Sequence, residues 1–161
     1  MPNAGPKTIY LAVPENTDSQ QFLTIVSPLF HQLDEEGFVV SLTESPKDDY
    51  LKGKGSSQDE IDERRNQLFE REVCKALAVD LVICVTSCEQ VDQSTVEIAG
   101  RAVLADIPTF IYWPPDCSPG IGWYAINLHA ITEHTLFRTV DEVVAAAKSQ
   151  LESSPCPAAN I

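Results

Sequence analysis

The chain has 161 residues and a formal net charge of −13, enough for one domain and too acidic to favour a nucleic-acid backbone or an anionic membrane surface as partner. Both of those partners select basic patches. No run reaches the about eighteen apolar residues that a membrane span needs, and MPNAGPKT lacks the basic-then-apolar layout of a signal peptide, so the expectation is a cytoplasmic protein without membrane contact.

Lys7 to Val13 (KTIYLAV) reads as a first strand that stops at Pro14. Asp18 to Glu36 reads as a helix, with Phe22, Ile25, Val26, Leu29, Phe30 and Leu33 on one face and Gly37 at its C-terminus. Pro28 should bend it and make its first half irregular. Phe38 to Leu42 reads as the second strand, and Thr43 to Asp59 is a polar, glycine-containing loop long enough to suggest a lid, a binding loop or disorder. A capping-box pair, Ser57 and Glu60, opens a helix to about Val79 whose inner face is Ile61, Leu68, Phe69, Ala76 and Leu77. Its charged residues, Lys75 among them, read mostly as a solvated face.

The central unit is a strand at Leu81–Val85, a polar loop from Thr86 to Gln93, a helix from Ser94 to Leu104 and a strand at Thr109–Trp113. Beyond a turn-rich loop, Pro114 to Gly122, Trp123 to Ile131 reads as a short helix and His134 to Arg138 as a brief strand. Thr139 and Glu142 form a second capping box for a last amphipathic helix to about Leu151. Residues 1–152 thus read as a single domain and 153–161 as a disordered tail.

Strands alternating with helices imply a parallel sheet covered on both faces. The order of elements predicts an α/β, flavodoxin-like, doubly wound sheet of five strands in the order 2-1-3-4-5, with its ligand crevice between strands 1 and 3. Glu97 falls in the first turn of the helix that follows strand 3, where a carboxylate can face that crevice. The bland alternative is an acid that complements the helix dipole. Five cysteines without a CxxC pair fit reduced thiols, and Cys84 and Cys88 with the three histidines match no common zinc spacing. With no GxGxxG and no P-loop, neither a metal nor a cofactor is expected.

Four separated pieces resemble the nucleoside 2-deoxyribosyltransferase family. KTIYLAVP resembles its opening strand, FEREVCKALAVDLVICV a helix and strand carrying an acidic residue, VDQSTVEIAGRAVLADIPTFIY the segment around its catalytic glutamate, and INLH its Asn-Leu-Met segment. The resemblance implies that Glu97 is the nucleophile, Tyr10 the tyrosine that holds that carboxylate, and Asp92 the aspartate at the base. It implies that Glu72 stands where an aspartate touches the sugar, and that Asn127 reaches the sugar 5′-hydroxyl of a neighbouring subunit. His129 replaces the methionine of that last segment and joins the substrate-binding set. Gln93, Ser94 and Thr95 replace the usual glycines before Glu97, and Val13 the glycine before Pro14.

The chemistry these roles imply is exchange of the base of a 2′-deoxynucleoside by double displacement through a covalent deoxyribosyl-glutamate. Its partners would be a deoxynucleoside and a free nucleobase, and the protein would be a homo-oligomer with shared active sites. Two other readings remain open, an N-glycosidase of the same fold acting on nucleosides or nucleotides and a nucleotide-sensing domain without turnover. Each residue also has a structural alternative: Tyr10 as a packed strand ring, Asp92 as a loop or cap residue, Glu72 as part of a solvated helix face. Trp123, Tyr124 and Phe22 could stack on a base, with core packing as their default.

Overall fold

The computed structural model describes residues 5–15, 17–44, 57–86, 93–115 and 135–153. The strands are β1 (Thr8–Ala12), β2 (Val39–Leu42), β3 (Leu81–Val85), β4 (Thr109–Tyr112) and β5 (Leu136–Phe137). They form one sheet in the order β2-β1-β3-β4-β5, with every neighbouring pair parallel. This is the flavodoxin-like order expected from the alternation of elements. β1 and β3 lie in the middle, and their apolar runs are explained by burial: Ile9, Tyr10, Leu11, Leu81, Val82, Ile83 and Cys84 are fully enclosed. At the edge, β2 alternates between exposed and half-buried residues.

The helices are α1 (Ser19–Gln21), α2 (Ser27–Glu35), α3 (Gln58–Ala76), α4 (Gln93–Leu104) and α5 (Val140–Glu152). α2 packs on α5, and α3 packs on α4. Both expected capping boxes are formed: Ser57 with Glu60 at α3 and Thr139 with Glu142 at α5. Among the described residues no helix is long and apolar enough to cross a membrane.

The irregularity expected from Pro28 is a π-helical segment, Phe22–Val26, joining α1 to α2. Proline at the start of α2 offers no N–H and its ring crowds the carbonyl four residues back, so the chain widens by one residue ahead of it. The bond from Ser27 N–H to Phe22 O marks the wider turn. One consequence corrects the expected apolar face. Ile25, Val26, Leu29 and Leu33 are buried, but Phe22 is 37% exposed because the widened turn rotates it off the stripe.

α3 is likewise shorter than expected. It ends at Ala76, so Leu77 is a C-cap residue, 41% exposed, rather than a member of the inner face. The buried positions on that face are Glu72, Val73 and Ala76. Gly37 closes α2 with φ +89°, and the bonds Gly37 N–H to Asp34 O and Phe38 N–H to Leu33 O complete a Schellman motif. The helix read from Trp123 to Ile131, the residues after Ser153 and the greater part of the loop from Thr43 to Asp59 lie outside the described residues.

Candidate active site

The connections reverse direction on either side of the β1/β3 pair, and parallel sheets open a crevice beyond the carboxyl ends of their strands at such a point. A cleft of about 690 Å³ lies there, within the range that encloses small molecules. Val13 and Glu15 line it from the end of β1, Thr43 and Glu44 from the end of β2, one face of α3 supplies Arg65, Phe69 and Glu72, and the first turns of α4 supply Gln93, Thr95, Glu97 and Ile98. Two of the expected site residues, Glu72 and Glu97, therefore line the same cavity although 25 positions separate them (97 − 72).

Glu72 is 6% exposed, the one charged residue in the buried set among the described residues. A carboxylate taken from water needs partners, and each of its oxygens has one. Tyr10 Oη donates to Oε2 at 2.7 Å, and Lys75 Nζ donates to Oε1 at 2.9 Å. Tyr10 comes from the middle of β1, where alternation turns its ring toward α3. Its single hydroxyl proton is spent on Glu72, so Thr43, 2.9 Å away, donates its own proton to the Tyr10 oxygen. Thr43 Oγ1 in turn accepts from Val13 N–H at 3.0 Å, tying the end of β2 to the end of β1. Burial, eased by Thr43 and reinforced by the Glu72 carboxylate, holds the Tyr10 hydroxyl well above the ordinary tyrosine range. Tyr10 is therefore a permanent donor here.

The resemblance assigns Tyr10 to Glu97. The hydroxyl goes instead to Glu72, because the strand register aims it at α3, with Thr43 at the end of β2 as its second contact. Lys75 likewise does not belong to a solvated face. Its stem is half-buried and its ammonium also lies 3.6 Å from Glu44, so it links the two carboxylates at that end of the cleft.

Glu97 is the opposite case. It is exposed, one turn into α4, and among the described residues its carboxylate has one hydrogen-bond partner, Gln93, whose Nε2 donates to Oε1 at 2.8 Å. Gln93 stands four residues earlier, the spacing at which helical side chains meet. Ser94 Oγ reaches Glu15 Oε1 at 3.5 Å, joining the start of α4 to the loop after β1. Behind this turn, Thr95, Ile98, Ala99 and Ala102 are the buried face of α4, which leaves Gln93 and Glu97 on the open side. One turn further along the same helix, Arg101 pairs with Glu70 at 3.2 Å and lies 5.5 Å over the Phe69 ring, bracing α4 against α3.

Asp92, Asn127 and His129 lie outside the described residues, as do Cys88, Trp123 and Tyr124. Cys84 is a buried residue of β3, and among the described residues no group of three or more His, Cys, Asp or Glu is placed to hold a metal ion. Thr43, Lys75 and Gln93 are site residues that sequence reasoning did not single out. Gln93 had a legible signal, the i,i+4 spacing to a candidate nucleophile. Thr43 and Lys75 had none, since their importance comes from a buried partner far away in the chain.

No family model and no curated protein matches the chain. Solved structures do. A conserved protein from Enterococcus faecalis V583 aligns over 90% of this chain and 99% of its own, at 14% identity and a TM-score of 0.60. A 2-deoxyribosyltransferase from the psychrotolerant bacterium Bacillus psychrosaccharolyticus aligns over 85% of this chain and 90% of its own, at 18% identity and a TM-score of 0.58. A probable GTP-binding protein aligns over 90% and 96%, at 12% identity and a TM-score of 0.50. Proteins so different in description share the arrangement because the doubly wound sheet hosts many chemistries. At these identities the likeness is one of fold.

Proposed function

We propose that the chain is a nucleoside 2-deoxyribosyltransferase, exchanging the base of a 2′-deoxynucleoside through a covalent deoxyribosyl-Glu97 intermediate. The observation that carries the reading is the pairing in one cleft of an exposed carboxylate, Glu97, with a buried one, Glu72, whose two oxygens each accept a protein hydrogen bond. An enzyme that captures a sugar needs a carboxylate free to form a bond and, separately, fixed groups to hold the ring. A 2-deoxy sugar lacks the electron-withdrawing 2′-hydroxyl, so its oxocarbenium-like state forms readily and a single placed anion can trap it. The likeness of fold to a 2-deoxyribosyltransferase and the four sequence pieces that resemble that family support the same choice.

In this reading Glu97 attacks C1′, Glu72 accepts from a sugar hydroxyl, and Tyr10 and Lys75 keep Glu72 in place. Asp92 handles the proton at the departing base. Asn127, with His129 beside it, reaches the sugar from a neighbouring copy, so the enzyme works as a homo-oligomer, in the cytoplasm, on deoxynucleosides and free bases. Carboxylates Glu15, Glu44, Glu72 and Glu97 around the cleft favour an uncharged nucleoside over a phosphorylated one.

An N-glycosidase is the second reading, favoured by the exposure of Glu97, which leaves water as a competing acceptor. The test is incubation with a deoxynucleoside, with and without a second base, followed by chromatography. New nucleoside establishes transfer, free base alone establishes hydrolysis, and no change overturns both. Mixing Glu97→Ala with Asn127→Ala protein tests the shared site: activity above either parent requires both residues to meet across subunits.

A further inference from the structure

Gln93 occupies a position where the sequence pattern of the resembled family has glycine, and it does what a glycine there cannot. Its amide holds one oxygen of Glu97, Nε2 to Oε1 at 2.8 Å, while the tyrosine that would hold that carboxylate is spent on Glu72. Pairs at this spacing occur on any exposed helix. What singles this one out is its place: both side chains line the cleft, on the open side of a helix whose other face is packed against the sheet. Resting on the deoxyribosyl-transfer reading, we infer that Gln93 is the positioning residue of the nucleophile, selecting Glu97 Oε2 as the attacking oxygen and hastening release of the sugar from the intermediate.

The chemistry follows from where the charge goes. In the first half, the Oε2 lone pair forms a bond to C1′ as the C1′–N bond breaks. The bonding pair leaves with the base, and the base nitrogen takes up a proton. Oε1 then changes from a shared carboxylate oxygen to an ester carbonyl, a weaker acceptor. The Gln93 bond therefore stabilises the free carboxylate more than the ester. In the second half, an incoming base nitrogen bonds to C1′ and gives up its proton, while the C1′–Oε2 pair returns to Glu97. The growing charge on Oε1 strengthens the Gln93 bond as the transition state is approached, which lowers that barrier. Gln93 thus holds back the first half slightly and speeds the second, keeping the covalent intermediate scarce.

The experiment compares wild type with Gln93→Met, which keeps length and helix propensity but has no donor, and with Gln93→Lys, which restores one. Circular dichroism establishes that each variant is folded. The readouts are the fraction of enzyme carrying a deoxyribosyl adduct at steady state, by intact-protein mass spectrometry, and the rates of the two half-reactions by rapid quench. In Gln93→Met the sugar-release step should slow by about three- to tenfold, as expected of one hydrogen bond to a charged acceptor exposed to solvent. The adduct fraction should rise accordingly and Gln93→Lys should bring it part of the way back. An unchanged partition in Gln93→Met, or equal behaviour of the Met and Lys variants, overturns the inference while leaving the transferase reading intact. A wild type that turns over without any adduct on Glu97, or does not turn over at all, overturns that reading and the inference with it.

Discussion

The two walls of the cleft carry the same functional group in opposite states. On α3, Glu72 is buried and both of its oxygens are occupied, by Tyr10 and Lys75. On α4, Glu97 is exposed and, among the described residues, held by one amide. A buried carboxylate with one donor on each oxygen still has a lone pair left for a substrate hydroxyl, but it is poorly placed to form a covalent bond, since burial and those contacts hold it in place. A carboxylate with a free oxygen can react. In the proposed function the difference between the walls becomes a division of labour, and the placement of hydrogen bonds creates that difference where residue type alone does not.

The hardest blow to that comparison falls on Glu97. Glu97→Gln keeps the shape and the helix and removes the proposed nucleophile, so turnover should fall by about 10⁴-fold or more, the scale on which lost nucleophiles act, with the thermal midpoint unchanged because the side chain is exposed. A 2-fluoro-2-deoxyribosyl substrate should leave its adduct on the Glu97 peptide of wild type. Adduct on the Glu72 peptide would invert the roles of the walls.

The buried wall is tested through its partner. Tyr10→Phe leaves the ring packed but strips Oε2 of Glu72 of its donor, and a buried carboxylate short of one bond costs about 1–3 kcal/mol of stability. The rate should fall by about ten- to a thousandfold, as when one positioning contact is lost. Adding Glu72→Leu should cost less than the sum of the single changes, because the orphaned group is then gone, and urea unfolding of the double-mutant cycle reads that coupling. Additive costs would mean that the Tyr10–Glu72 bond contributes nothing.

Tyr10 also sets a pH dependence. Its hydroxyl titrates higher in the folded chain than in the unfolded one, so the folded state binds more protons at alkaline pH. The contribution to stability is fully present below about pH 10, where the unfolded tyrosine titrates, and is lost as pH rises from there toward the folded value. Unfolding followed from pH 8 to 11 should show this decline, and Tyr10→Phe should flatten it. Tyr112, also raised by burial, should leave a smaller slope in the variant.

Much of this was legible in the chain and some was not, for physical reasons. Runs such as LVICV, buried on both faces, announce parallel strands, and Ser57 with Glu60 and Thr139 with Glu142 announce helix starts because a capping box is a local bond pattern. Pro28 announced a disturbance, but not that the disturbance would be a wider turn that exposes Phe22. At the site, the resemblance brought Tyr10, Glu72 and Glu97 together. It paired Tyr10 with the wrong carboxylate, because which hydroxyl meets which acid depends on strand register and helix rotation, 62 positions apart for the Tyr10–Glu72 bond. Lys75 was hidden for the same cause: a lysine's stem can run along buried surface while its head stays wet.

The smallest effect lies farthest from either wall and sharpens the comparison by leaving both untouched. Helix α4 ends as α2 does, with a residue in the left-handed region, but where α2 uses Gly37, α4 uses Asp106 at φ +58°. The bonds Asp106 N–H to Val103 O and Ile107 N–H to Ala102 O show the same Schellman pattern as at Gly37. A side chain there crowds its own carbonyl, a strain that aspartate tolerates better than most residues and glycine avoids. Asp106→Gly should therefore raise stability by at most about 1 kcal/mol, part of the relief being offset by the extra freedom glycine gains in the unfolded chain. Activity should stay at the wild-type level, since the residue closes the end of α4 remote from Gln93 and Glu97. A loss of activity at unchanged stability would show that the far end of α4 governs the placement of the nucleophile, and the clamp of Arg101 on Phe69 and Glu70 would then be the place to look.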